Sequence, residues 1–456
     1  MVATPSSTTF DDLRTSVSGP VLEPGQPGYD EFRLVHNGTV DCQPAAIVRC
    51  HTTADVVDAV NYGRAGGLEL TIRGGGHNVA GRAVCDGGLM IDLAPMKGIF
   101  VDLKARTARA QGGVTWGELN RATQLHGLAT TGGIISSTGV AGLTLGGGLG
   151  WLMGKYGLCV DNLRSAEVVT ASGEVLQASA SENPDLFWAL RGGGGNFGVV
   201  TSFEFDLHEV GPMVTGGILA FPFDQAANVL RFYQAFTANL PDELTMFAGV
   251  LHAPDGSGAK ICAVISCHCG SLEQAEADLR PLKGFGTPIM DALGPIPYSA
   301  LNSMLDAGFP RGARNYWKSN LLSSLTAETI DVMIEQFAQC PSPMTGMLLE
   351  HFHGAVTRVP AEATAYAHRS EGYNLLVAAE WLEASEDSAN IAWARQAFGA
   401  LQPFFGAGGY VNYMGGDETE DRVASAYGAN HARLRQVKRR YDPDNLFHMN
   451  QNILPA

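Results

Sequence analysis

The chain has 456 residues, enough at roughly 150 per domain for two or three domains and a sizeable core, so a disulfide-stapled mini-scaffold is excluded. With 45% hydrophobic and 17% charged residues it is an ordinary folded chain, neither disordered nor built to span a membrane. The net charge of −16, from 46 acidic against 30 basic residues, works against gripping a phosphate backbone, so no nucleic-acid partner is expected.

The start of the chain is polar (Ser6, Ser7, Thr8, Thr9, Asp11, Asp12) and lacks the apolar stretch of a secretory signal. No run of about 18 apolar residues is present, so no membrane association is expected. The eight cysteines are scattered, which reads as free thiols of a reducing compartment and places the chain in the cytoplasm. Ala46–Cys50 is a short apolar strand. Thr52 with Asp55 three residues on caps a helix carrying Val56, Val57, Ala59 and Val60, and Leu68–Ile72 is the next strand, completing a βαβ unit. Val79–Gly88 is too irregular for a helix, and Leu89–Leu93 is a further strand. Thr115 and Glu118 open a helix running to His126, and Ala166–Ala178 forms a hairpin turning at Ser172-Gly173. Asn183-Pro184-Asp185 opens a helix to Leu190, and Val199–Leu207 alternates apolar and polar as a strand does. At Gly211-Pro212 the texture changes to alternating strands and amphipathic helices up to about Phe405. Beyond Tyr410 come a basic helix near Asn430–Arg440 and the punctuated Tyr441-Asp442-Pro443-Asp444-Asn445-Leu446-Phe447.

Glycine is the compositional outlier: 56 of 456 residues, about 12%, against a usual value of about 7%. Of these, 27 fall between Gly74 and Gly198. Such segments let backbone N–H groups converge on an anion and let a flat ligand approach closely, which suggests a dinucleotide. A nicotinamide turn must lead from a strand into a helix, whereas the one literal match, Gly193-x-Gly195-x-x-Gly198, leaves a helix and enters a strand. No phosphate-binding Gly-Lys-Ser/Thr loop is present. Cys262, Cys267, His268 and Cys269 have no second cluster elsewhere, so they read as an apolar strand with small thiols, and no metal is expected.

Six motifs taken together resemble a known family: Arg73-Gly-Gly-Gly-His77-Asn78, Gly142-Leu-Thr-Leu-Gly-Gly-Gly-Leu-Gly150, Lys155-Tyr-Gly-Leu, Asp161-Asn-Leu163, Asn196-Phe-Gly-Val-Val-Thr201, and the terminal Tyr441–Phe447 with Asn450-x-Asn452. They look like the FAD-linked oxidases of the vanillyl-alcohol-oxidase, or PCMH-type, superfamily. Within it they are most like the berberine-bridge-enzyme-like group, which includes bacterial hydroxynicotine oxidase and polyketide-tailoring flavin oxygenases. The resemblance implies an α+β architecture. A two-lobed FAD-binding domain would span 1–210, with its core at about 40–210. A substrate domain of antiparallel sheet and helices would span 211–405, and a segment at 406–456 would return to the FAD domain. By this resemblance Arg73, Gly74, Gly75, Gly76, His77 and Asn78 would wrap the pyrophosphate, and Thr138, Gly139, Gly142 and Leu143 would line the flavin. Gly146 and Gly148 would pass close to the cofactor, Gly198, Val199 and Val200 would meet the adenine half, and Asn450 and Asn452 would reach the flavin ring.

His77 matches the family histidine that bonds the flavin 8α-methyl group; alone, it would equally suit a surface loop. Many relatives carry a second link from a cysteine, but Ile135 stands at that place here, so FAD bound covalently through His77 only is expected. The loop residue nearest the reactive edge of the flavin is often a valine in family oxidases. Here it is Thr138, which resembles oxygenases that form an oxygenated flavin, although Thr and Val are nearly isosteric. On the substrate side, Met347–Gly354 reads as a strand with His351 and His353 on one face and Glu350 and Phe352 on the other. The resemblance turns this strand toward the flavin, and His351 and His353 become candidate bases, with two hydrogen-bonded strand histidines as the plainer reading. Tyr413 resembles the family's active-site tyrosine or asparagine, as base or as buried packing. Tyr316, Trp317 and Lys318 are candidate pocket walls or core. The plant relatives' base, three residues after the tyrosine matching Tyr373, is replaced by Leu376. The expected activity is transfer of hydride from a C–O or C–N bond of a small, aromatic or polyketide-like molecule to the flavin, with O₂ as acceptor. The alternatives are an oxygenase and a catalytically silent flavin-binding carrier. Oligomeric state is left open.

Overall fold

Strands Ala46–Arg49 and Leu70–Arg73 run parallel, joined by helix Thr53–Gly66, but they do not touch, because Leu89–Asp92 lies between them and parallel to both. Val21–Leu22 closes the far edge of this sheet antiparallel. The helix begins at the expected capping box of Thr52 and Asp55 and buries Val56, Ala59 and Val60 on its sheet-facing side. The computed structural model describes residues 9–456, so Ser6, Ser7 and Thr8 of the polar start lie outside the described residues.

A second, antiparallel sheet follows, in the order Ile99–Asp102, Thr107–Gln111, Val199–Asp206, Leu163–Val169, Val175–Ser179. Its hairpin turns at Gly173, whose φ of 83° only glycine adopts without strain. Helix Trp116–Gln124 starts where the Glu118 carboxylate accepts from the Thr115 N–H, and helix Pro184–Leu190 starts on Pro184. Trp116, Leu119, Leu186, Phe203 and Phe205 form the core beneath.

Residues 213–381 supply all eight strands of a third sheet, in the order Met290–Asp291, Met213–Pro222, Lys260–His268, Leu244–His252, Gly346–Phe352, Gly372–Trp381, Arg314–Leu322, with Gly294–Pro297 beside Met213–Pro222. Helices Ala226–Thr237, Leu272–Lys283, Ala327–Ala338 and Asp387–Leu401 cover one face, packing Tyr233, Leu279, Met333, Phe337 and Trp393 with Leu349, Leu375 and Val377. The opposite face sets Phe247, Ile265 and Phe352 against Leu149, Trp151 and Leu158 of the glycine-rich half. Burial of both faces explains why the central strands are apolar without alternation. Cys262 and Cys267 are buried within this sheet, and His268 Nε2 pairs with Asp278 at 2.9 Å.

Several of the recognised motifs are knots that return the C-terminal segment to the first half. In helix His431–Tyr441, fully buried Lys438 donates to Asp442 at 2.6 Å, to the Asn196 carbonyl at 2.8 Å and to the Phe447 carbonyl at 2.9 Å. The Asp442 carboxylate also accepts from the N–H groups of Leu446 and Phe447. Asn196 in turn holds Gln451 and Ile453 through its side-chain amide. Arg369 pairs in two places with Asp161, at 2.6 and 2.7 Å.

Glu380 is 1% exposed in strand Gly372–Trp381, and neither carboxylate oxygen has a hydrogen-bond partner. Burial raises its pKa from 4.5 to about 8. Between those values the folded chain holds a proton that the unfolded chain has released, so this group makes stability fall as pH rises through that window. Glu380→Gln is therefore expected to leave the melting temperature nearly unchanged at pH 4 to 5 and to raise it by several degrees at pH 9. An equal effect at both pH values would refute this.

Candidate active site

A cleft runs between the parallel sheet, the glycine loops and the free face of the eight-stranded sheet. It has two lobes that share Ile72, Gly74, Asn78, Ala83, Gly142 and Asn412 in their walls. The first lobe is bounded by Gly194, Gly195, Gly198, Val199, Val200 and Asn450. The second contains Gly75, Gly76, His77, Thr138, Gly139 and Leu143 on one side, with Trp317, Leu348, Glu350, Leu376 and Tyr413 opposite.

The glycine content has two distinct causes here. Gly75 and Gly139 bring two backbones so close that a Cβ on either would collide with the other's N and Cα atoms. At Gly142 and Gly195, by contrast, a Cβ would meet nothing within 4 Å and would project into the cleft. The Oδ1 atom of Asn450, on the wall of the first lobe, has no protein partner. An elongated cleft with a glycine cradle at its middle, vacant space over Gly142 and Gly195, and an unpartnered amide oxygen fits FAD.

Several expected residues lie elsewhere. The Arg73 guanidinium does not reach the cleft: it binds Asp92 in two places, at 2.9 and 2.7 Å, and caps the carbonyls of Phe32 and Leu34. A buried arginine beside a buried carboxylate is held there by their mutual charge. Gly146 and Gly148 also fall outside the cleft wall; their missing side chains admit the Asn412 side chain and the Cys159 Cβ, respectively. Asn450 lines the first lobe rather than the lobe of Thr138, and Asn452 lines neither. Ile135, Thr138, Gly139, Gly142 and Leu143 do line the second lobe, and Gly198, Val199 and Val200 the first.

His77 leaves a tight turn at Gly76, where φ is 68°. Its ring stacks on His36 with centroids 3.7 Å apart, and its Nε2 lies 2.9 Å from the Ser137 hydroxyl. Burial, then the neighbouring His36 ring, pushes its pKa down to about 3, so the imidazole is neutral.

The strand Gly346–Phe352 faces the other way from the expectation. His351 and His353 do share one side, but it is the side of Met347 and Leu349, which pack under the helices. His351 lies against Tyr373, centroids 5.0 Å apart, and stacks on His353 at 5.1 Å. Burial and then His353 push the His351 pKa down to about 3, leaving it uncharged behind the sheet. Leu348 and Glu350 are the residues that enter the cleft. The cause is register: Leu348 pairs with Leu376 and Glu350 with Asn374 on the neighbouring strand, whose alternate residues Leu375 and Val377 belong to the helix side.

Glu350 is 2% exposed and accepts hydrogen bonds from the Tyr413 hydroxyl at 2.8 Å and the Asn374 amide at 2.7 Å. Burial raises its pKa to about 7 against the pull of those two donors. Tyr413 stands edge-on to Trp317 and to Tyr410, and burial followed by the Glu350 charge raises its pKa well above the usual phenol value. Of the expected substrate walls only Trp317 lines the cleft. Lys318 turns to Asp417 and Glu418, each at 2.7 Å, and the Tyr316 hydroxyl donates to Asp417 at 2.6 Å. The strand pattern does not single out Glu350, because both faces of Gly346–Phe352 are buried and about equally apolar. The signal that could have found it was a lone carboxylate in such a strand, which must acquire partners when buried.

Fold and site together describe a flavin oxidoreductase, with a glycine cradle on one side of the cleft and the free face of the eight-stranded antiparallel sheet on the other. The "FAD binding domain" family matches residues 44–179, and the "Berberine and berberine like" family matches residues 409–454. The chain is 34% identical to (R)-6-hydroxynicotine oxidase of Paenarthrobacter nicotinovorans over 96% of its own length and 97% of the relative's. It is 31% identical to an FAD-linked oxidoreductase of Dictyostelium discoideum, covering 96% and 95% of the two chains. The crystal structure of 6-hydroxy-D-nicotine oxidase from Arthrobacter nicotinovorans superposes with a TM-score of 0.89 at 32% identity, covering 99% of this chain and 100% of that one. The chain belongs to the berberine-bridge-enzyme-like family of FAD-linked oxidases, and it is an FAD-linked oxidoreductase. No helix among the described residues is long and apolar enough to cross a membrane.

Proposed function

We propose that this enzyme oxidises a C–O or C–N bond of a small, largely apolar aromatic molecule, with Glu350 as the proton acceptor and O₂ as the final oxidant. Residues of about 1–210 and 406–456 hold the cofactor, and residues 211–405 supply the substrate face. The observation that carries the reading is a single buried carboxylate, hydrogen-bonded by Tyr413 and Asn374, facing His77 and Thr138 across an apolar cavity. Bound FAD supplies a two-electron hydride acceptor. Glu350, with a pKa near 7, is partly ionised at neutral pH and can take the substrate's O–H or N–H proton, as Brønsted behaviour favours. Tyr413 and Asn374 donate to the carboxylate and favour its ionised, proton-accepting form.

The walls Ile134, Leu305, Phe309, Trp317, Leu348 and Leu376 favour an aromatic substrate over a sugar, whose many hydroxyls would lack partners there. This sets the site closer to the relative named for hydroxynicotine than to the xylooligosaccharide and chitooligosaccharide oxidases also similar to this chain. Thr138 on the cleft wall supports a second reading, oxygen transfer to the substrate, and a relative called an FAD-dependent monooxygenase is 35% identical over 47% of this chain. Hydrogen peroxide released in equal amount to product favours oxidation; oxygen appearing in the product favours transfer.

His77 is the point of covalent attachment, and Ile135 on the same wall leaves one bond rather than two. Precipitation in acid tests this. Wild-type protein should keep its flavin in the pellet and yield a single flavin-bearing peptide containing His77. His77→Ala should release all flavin to the supernatant. A wild-type protein that releases its flavin, or a flavin-bearing cysteine peptide, would refute the assignment.

A further inference from the structure

Resting on attachment at His77, we infer that Ser137 is a positioning residue for that bond: its hydroxyl accepts the Nε2–H of His77 and leaves the lone pair on Nδ1 to form the C–N bond. A neutral imidazole carries one N–H and one lone pair, and the partner of one nitrogen decides the role of the other. The Ser137 Oγ lies 2.9 Å from Nε2. Nδ1 has no protein hydrogen bond and is not a buried unpartnered atom, so it is the accessible nitrogen of a residue that lines the cleft.

Both partners are held in place by groups unrelated to the reaction. Ser136, next to Ser137, donates its N–H to Asp306 at 2.8 Å and its hydroxyl to the same carboxylate at 2.5 Å. Its carbonyl accepts from the Gly117 N–H at 2.8 Å. The His77 ring is fixed on its other side by the stack on His36. The influences on the two rings, burial first in each case, then His36 on His77 and Arg311 on His36, all oppose protonation, so both imidazoles are neutral. Nothing therefore converts His77 to an imidazolium, which would have no lone pair.

The attachment balances as follows. A C–H bond of the cofactor's methyl group and the imidazole N–H bond break, and the Nδ1–C bond forms. Two electrons and the methyl hydrogen would pass through the cofactor to O₂, and a proton from solvent, replacing the one the imidazole releases, would complete hydrogen peroxide. The Nε2 proton departs along the hydrogen bond to Ser137 as Nδ1 bonds carbon. If Ser137 instead donated to Nε2, the proton would sit on Nδ1 and neither nitrogen would present a free lone pair to the cleft.

The test compares Ser137→Ala with Ser137→Thr, each purified with its flavin and precipitated in acid. The Thr variant keeps the hydroxyl and should retain flavin in the pellet as wild type does. The Ala variant should retain at least tenfold less, with the missing flavin recovered intact in the supernatant and the melting temperature of the holoprotein within about two degrees of wild type. Equal retention in the Ala variant, or loss in both variants, overturns the role of Ser137 while leaving attachment at His77 standing. Acid release from wild type would remove the attachment itself.

Discussion

Glu350→Gln is expected to lower kcat by roughly 10²- to 10⁴-fold, the usual contribution of a positioned general base. The amide keeps the size of the carboxyl and can still meet Tyr413 and Asn374, so the loss isolates the proton acceptor from the packing. Wild-type activity should rise with pH through about 7, where Glu350 loses its proton. The Gln variant should lack that limb. Tyr413→Phe removes a hydrogen bond that favours the carboxylate, so it should move the limb to higher pH and lower kcat less than the Gln change does. Stopped-flow measurement of flavin reduction separates this from reoxidation. A Glu350→Gln enzyme reduced at the wild-type rate would remove Glu350 from the chemistry.

Lys438→Met is expected to destabilise the holoprotein by about 3–5 kcal/mol, measured by urea unfolding. Lys438 and Asp442 are both fully buried, and burial lowers the Lys438 pKa against the pull of Asp442. Removing the ammonium leaves Asp442 with only the N–H groups of Leu446 and Phe447, and it frees the carbonyls of Asn196 and Phe447. Because that knot seats Phe447, Asn450 and Gln451 against the first lobe of the cleft, a lower fraction of protein carrying flavin after expression should accompany the loss of stability. A change below about 1 kcal/mol would show that the pair is compensated elsewhere.

These two residues differ in how visible they are from sequence. Lys438 falls in the basic helix before the punctuated terminal motif, and the motif was legible, but its purpose was not: Asp442 and Asn196 meet only when the chain has closed on itself. Arg73 is a similar case. Its place ahead of three glycines suggested anion binding, yet Asp92, 19 residues on and one strand over, claims the guanidinium. A charge whose nearest countercharge is remote in sequence cannot be assigned a role from its local motif.

By itself, the sequence determined the class of protein and its cofactor. Capping boxes, the Gly173 turn, the alternation of Val199–Asp206 and the placement of glycine are local properties, written within a few residues of where they act. That His77 and Ile135 line the cleft was legible for the same reason, since each stands in a short backbone motif. Tertiary structure alone decided which side of Gly346–Phe352 meets the cleft. Period two says that His351 and His353 share a face and Glu350 has the other. With a sheet buried on both sides, no difference in hydropathy says which face is which, so the base depended on strand register and on the helices that cover Met347 and Leu349.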